Sequence, residues 1–246
     1  MKEILRYSHD ALYTDLISFI LSTVGLSVSI WKYRQNPKLR PLFFFFLGYV
    51  LLEIVSLLNV ATLYYFESTR YIRRYSDFFD TVIEFFAFFF LIRNYIDSDK
   101  IKKILNPLMP FFISLIFAYF FYYKTIHIQI DQYFLQIIFT IQASFLSMAC
   151  ILYYIDLYRK EPKLNLTILP SFWVVTGLSF LMVCTLPFSI LGLYLVKTNY
   201  TLYFQLYSIF NIFYCILFLM IIKAYFCRQT TVNTRIDSVD MPILIE

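Results

Sequence analysis

The chain has 246 residues, 60% of them hydrophobic and 15% charged, with a formal net charge of +5. Soluble domains carry about 45–50% apolar and about 25% charged residues, so the composition excludes an ordinary soluble domain and points to an integral membrane protein. The positive balance is no nucleic-acid signature, because the basic residues sit between greasy segments, where they orient a membrane chain.

The opening decapeptide, MKEILRYSHD, mixes acids with bases and no small-residue cleavage site follows it, so the first apolar segment is expected to be retained rather than removed. Seven apolar segments follow, at about 12–31, 42–66, 78–96, 108–123, 133–157, 171–196 and 201–225. A spanning helix needs about 17–25 mostly apolar residues. The apolarity comes in blocks and not in alternation, which favours helices over barrel strands. The expected fold is all-α: one seven-helix transmembrane domain over residues 1–227, then a short tail over 228–246. The connections are too short to hold a soluble domain of about 50 residues or more. The activity is therefore expected of the helices or of a partner.

Lys and Arg divide unevenly between the two ends of such a bundle. Seven fall on the side of the amino terminus and fourteen on the other, where Arg34, Lys38, Lys100, Lys102, Lys103, Arg159 and Lys160 cluster. The positive-inside rule then predicts an outside amino terminus and a cytoplasmic carboxyl terminus. Pro41, Pro107 and Pro170 each open a segment leaving the basic side, where a missing N–H costs nothing. Pro187 lies deep inside the sixth segment and is expected to kink it, with Thr185 or Ser189 serving the carbonyl it frees.

Polar residues spaced by three or four mark the faces expected to look inward. The first segment gives Asp15, Ser18, Ser22, Gly25 and Ser29, and the second gives Glu53, Ser56 and Asn59. In the third, SDFFDTVIEFFAFFFLI carries Asp77, Asp80 and Glu84 on one stripe. The fifth gives Gln132, Gln136, Thr140, Ser144 and Ser147. The sixth divides between Thr176 with Ser179 and Thr185 with Ser189 and Gly192. The seventh gives Thr201, Gln205, Ser208, Asn211 and Cys215, and the fourth, with little to show, is expected at the periphery. A carboxyl at mid-membrane costs about 2.5–3.5 kcal/mol on insertion scales. Glu53, Asp80, Glu84, Gln136 and Asn211 are accordingly the candidate residues of a ligand or proton site in one polar cavity. A helix-to-helix hydrogen bond, for example from Glu84 to Asn211 or Gln136, accounts for the same residues without a ligand.

No metal site and no cofactor are expected. The two histidines, His9 and His127, both fall outside the spans, and no H-E-x-x-H or Gly-rich phosphate loop occurs. The four cysteines have no metal-ligand spacing. The only lysine at an intramembrane end, Lys223, suits a snorkelling role. The tripeptide NYT at Asn199 matches a glycosylation acceptor, a match that arises often by chance.

Four stretches carry a resemblance: GYVLLEIVSLLN, SDFFDTVIEFFAFFFLIRNY, LPSFWVVTGLSFLM and FQLYSIFNIFYCILFLMIIKAYF. Together they resemble small bacterial seven-helix membrane proteins that accompany two-component signalling kinases. In the resemblance Glu53, Glu84, Pro170 with Phe172 and Trp173, and Asn211 are the matching positions; Asp77 and Asp80 have no counterpart in it. It implies a receptor-like or signalling accessory role in a bacterial inner membrane, with a signalling kinase or other membrane partner; the lipid bilayer as surroundings and the absence of a nucleic-acid partner follow from the composition. Two other classes fit the composition: a membrane-embedded enzyme acting on lipid, with Glu53, Asp80 and Glu84 as acid–base groups, and a small proton-coupled transporter.

Overall fold

The computed structural model describes residues 2–35, 37–62, 69–126, 132–159 and 166–227. Asn165, His127 and the tail from 228 onward lie outside the described residues, as do the side chains of His9, Asp15, Ser56, Asn59, Gln132, Thr201, Gln205 and Ser208. Among the described residues the chain is helical, with no strand. Seven long helices form: α1 (Lys2–Lys32), α2 (Arg40–Thr62), α3 (Thr69–Tyr95), α5 (Leu108–Ile126), α6 (Gln132–Arg159), α7 (Pro170–Thr198) and α8 (Tyr200–Phe226). An eighth, α4 (Asp99–Leu105), occupies what the sequence presents as a loop. It buries Ile101 and Leu105 and carries Lys100, Lys102 and Lys103, so a short amphipathic helix docks on the end of the bundle.

The helices run past the apolar segments at several ends. At about 1.5 Å per residue, the 27 residues of α3 exceed the ~30 Å hydrocarbon layer. Among the described residues four stretches are long and apolar enough to cross a membrane: Asp99–Thr125, Tyr133–Arg159, Pro170–Thr198 and Ile209–Phe226. Leu16–Lys32 adds a shorter apolar stretch in α1. α3 is long enough but carries Asp77, Asp80, Glu84 and Arg93.

Six long helices close into a ring. α1 packs on α2, α2 on α3, α3 on α6, α6 on α7, α7 on α8, and α8 back on α1, while α3 also touches α7 across the middle. α5 stands outside and packs on α6 and α4. Rings hold it there: Phe112 stacks on Phe85 with centroids 3.5 Å apart and meets Phe145 edge-on, and Tyr119 stacks on Phe134 at 5.0 Å.

Side-chain pairs fix the directions. Phe78 with Phe134, Glu84 with Gln142 and the Asp97 N–H with Asp156 make α3 and α6 parallel. Phe45 with Phe88 and Gly48 with Ile83 make α2 and α3 antiparallel. One end of the bundle therefore gathers the carboxyl ends of α1, α3, α6 and α8, the amino ends of α2, α5 and α7, and α4. This end holds Lys32, Lys38, Arg40, Arg93, the α4 lysines, Arg159 and Lys223.

The chain's four glycines all sit where helices meet. A Cβ on Gly25 would lie 2.4 Å from the Phe46 ring, one on Gly48 3.1 Å from Ile83, one on Gly177 3.0 Å from Met220, and one on Gly192 3.0 Å from the Gln136 amide oxygen. Small residues let backbones approach where no hydrophobic effect drives helices together in lipid.

Candidate functional site

α3 brings Glu84 to the centre of the ring, where the side chain is only 1% exposed. Gln142 Nε2 of α6 donates to Glu84 Oε2 at 2.9 Å, and the Tyr214 hydroxyl of α8 donates to the same oxygen at 3.0 Å. Glu84 Oε1 is buried with no hydrogen-bond partner. Gln136 of α6, 3% exposed, donates through Nε2 to the Tyr203 hydroxyl oxygen at 2.7 Å and leaves its own buried Oε1 without a partner.

These groups line one chamber of about 50 Å³ between α3, α6, α7 and α8. Its polar wall is Glu84, Gln136, Gln142, Thr185, Ser189, Asn211 and Tyr214; its apolar wall is Phe139, Ala143, Met182 and Phe210. Glu84 is the one formally charged residue in that lining. The chamber is elongated, since Gln136 and Gln142 lie six residues apart on α6, about 9 Å of helical rise. A water needs about 10–15 Å³ measured in this way, so the space suits three or four waters, well short of the ~300 Å³ of a drug-sized pocket.

Of the five nominated residues, Glu84, Gln136 and Asn211 line the chamber, whereas Glu53 and Asp80 are not in its wall. The α2–α3 register places Glu53 level with Asp80, just over a turn nearer the amino end of α3 than Glu84. Asp80 lies within Coulombic reach of Glu84, Glu53 and Asp77, so the acids form a chain along α3 with Glu53 beside it. Asp80 Oδ1 is buried with no hydrogen-bond partner.

The sequence reading missed Gln142, Tyr214 and Asp156. On α6 it traced the inward face through Thr140 and Ser144. The buried stripe instead runs Leu135, Ile138, Gln142, Leu146, Ala149, Tyr153 and Asp156. Thr140 and Ser144 donate their hydroxyls to the carbonyls of Gln136 and Thr140, four residues back. A Ser or Thr satisfied in this way needs no inward partner, so it does not report a helix's buried face. Gln142 has no such local bond, and its carboxyl partner on α3 was the signal available.

Asp156 is 4% exposed and accepts from the backbone N–H groups of Asp97 and Ser98 at 3.0 and 3.2 Å. It ties the end of α6 to the turn between α3 and α4, a structural role at the basic end. Arg93 Nε donates to Asn106 Oδ1 at 2.9 Å and fastens the other end of α4.

Three further expectations meet specific contacts. α7 runs as helix through Pro187, but the Thr185 hydroxyl donates to the Met182 carbonyl at 3.4 Å and not to Val183, the carbonyl a proline at 187 leaves without its helical donor. Asn199 caps α8, accepting from the Leu202 N–H at 3.1 Å. Lys223 Nζ lies 5.9 Å from the centre of the Trp173 ring at the basic end.

Between the chamber and the basic end the ring is filled by aromatic side chains. Phe45, Phe46, Phe88 and Phe218 are fully buried, with Phe45 packed on Phe88 at 4.9 Å and Tyr49 edge-on to Phe218 at 5.1 Å. Among the described residues no three His, Cys, Asp or Glu side chains converge as metal ligands. No protein-family model, no curated protein and no solved structure matches the chain.

Proposed function

We propose that this is a seven-span membrane protein that senses the state of an internal acid, Glu84, and passes that state to a partner at its basic, cytoplasmic end. The observation that carries the reading is a carboxyl split between two environments. One oxygen is tied to α6 and α8 through Gln142 and Tyr214, and the other faces the chamber with no partner. Any occupant that takes Oε1 alters the acceptor strength of Oε2, and so the bonds by which α3 holds α6 and α8. α6 ends at Asp156 and α3 at the turn that Asp156 holds, so a relative shift of the two helices displaces α4 and its lysines. A signalling kinase or another membrane protein with an acidic surface is the partner that such an end suits.

An enzyme acting on lipid needs acid–base groups open to its substrate, and Glu84 is buried in a space too small for a lipid headgroup. The test uses the full chain in proteoliposomes, with spin labels on Ser98 in α4's cap and Thr167 before α7. The reading predicts a change in their separation when solution conditions alter the chamber's occupant, and none in Glu84→Gln. Lipid turnover or substrate counterflow that depends on Glu84, with no movement at the labels, would overturn it in favour of an enzyme or a transporter.

A further inference from the structure

We infer that the chamber is a site for one small monovalent cation, held at the Glu84 carboxylate and bridged through water to the Gln136 amide oxygen. The inference rests on the sensing reading of Glu84 and names the occupant that reading needs.

Charge sets the sign. The chamber wall holds one carboxyl and neutral groups, with no Lys, Arg or His among them. The two buried atoms of that wall left without partners, Glu84 Oε1 and Gln136 Oε1, are both acceptors. A buried acceptor without a partner costs about 1–3 kcal/mol, and more when charged. A cation satisfies the carboxylate's lone pairs and its charge together, which a water does not.

Size and ligand count set the class. At about 50 Å³ the chamber takes an ion with two or three waters and excludes a bulky organic cation. A divalent ion of the calcium type draws on several carboxylate and carbonyl oxygens, whereas the chamber wall offers one carboxylate and no three His, Cys, Asp or Glu side chains converge among the described residues. One carboxylate with the hydroxyls of Thr185 and Ser189 nearby matches a single positive charge.

The order of acids along α3 points to a route as well. The aromatic filling closes the chamber toward the basic end. Toward the other end Asp80 and then Asp77 follow along the same helix, and the buried Asp80 Oδ1 has no hydrogen-bond partner. The acids at 84, 80 and 77 step outward by about 6 and then about 4.5 Å of rise. The cation enters from the face opposite the basic end.

The test is thermal unfolding of the purified full chain at constant ionic strength. Sodium chloride or ammonium chloride replaces the chloride salt of N-methyl-D-glucamine, a cation too large for the chamber. Sodium or ammonium is expected to raise the midpoint saturably, by about 2–4 °C for a chain of this size. Glu84→Gln should abolish the rise. Gly192→Ala places a methyl 3.0 Å from Gln136 Oε1 and should weaken the apparent affinity several-fold while the protein still folds. Equal midpoints in all three salts, or the same rise in Glu84→Gln, overturn the inference. If Glu84→Gln fails to fold, an unchanged salt response in Gly192→Ala overturns it. The spin labels at Ser98 and Thr167 separate the two claims. A midpoint rise with no label movement keeps the cation and sinks the sensing reading. Label movement under a proton gradient with no salt effect keeps the sensing reading and sinks the cation.

Discussion

Among the described residues Glu84 and Asp156 are the two buried acids, and their hydrogen bonds define opposite roles. Asp156 spends both oxygens on backbone N–H groups and holds a turn. Glu84 gives one oxygen to Gln142 and Tyr214 and keeps the other for the chamber. Substitution should separate them. Asp156→Ala leaves two backbone donors of the α3–α4 turn without acceptors, and is expected to cost about 1–3 kcal/mol. Hydrogen exchange at the Asp97 and Ser98 amides should rise with it, whereas a change confined to distant amides would contradict the assignment. Glu84→Gln keeps shape and an acceptor for Tyr214, so insertion and folding should stay close to the parent while any occupant-linked response is lost. Glu84→Leu removes the acceptor from two buried donors and should also lose about 1–3 kcal/mol of stability, measured by unfolding in detergent. The acids of α3 were legible in the sequence because they share one stripe and nothing within their own helix satisfies a carboxylate; Asp156, alone near the end of α6, was not. Gln142 and Tyr214 were not, because an amide or phenol among apolar neighbours has no period of its own, and the hydroxyl stripe at Thr140 and Ser144 pointed elsewhere.

The seven apolar segments appear as seven long helices, because a block of about 20 apolar residues leaves the backbone no other way to satisfy its polar groups in lipid. α4 escaped the reading because seven residues carry too little periodicity. It becomes recognisable through Asp156 and Arg93, which lie on other helices. The closure of six helices into a ring with α5 outside was only half visible. α5's lack of polar residues pointed to the periphery, and the chain order alone does not bring α3 to α6 or α8 to α1. Helix contact depends on the glycines as much as on the rings. Gly25→Leu drives a side chain into the Phe46 ring, which stands 2.4 Å from where even a Cβ would lie, and should destabilise the α1–α2 pair by about 1–3 kcal/mol. Phe46→Ala in the same chain should recover part of that loss. Additive losses in the double variant would show that the two helices do not meet there.

At the scale of the whole molecule, the helix directions put the greater share of the described Lys and Arg at one end, together with α4 and the Trp31 and Trp173 rings. The orientation we propose puts that end in the cytoplasm. With the four native cysteines replaced, single cysteines at Thr125 and Thr198 should label from outside, and one at Ser98 only after permeabilisation. The opposite pattern would invert the orientation, and the cation route with it. The central claim is that Glu84 is a chemically responsive acid inside the bundle, and infrared difference spectroscopy tests it most directly. Spectra of the reconstituted chain are taken as sodium replaces N-methyl-D-glucamine, for the parent and for Glu84→Gln. The account predicts a carboxyl difference signal in the parent that Glu84→Gln removes and Asp156→Asn leaves in place; a carboxyl region that is silent in the parent, or a signal that survives Glu84→Gln, would contradict it.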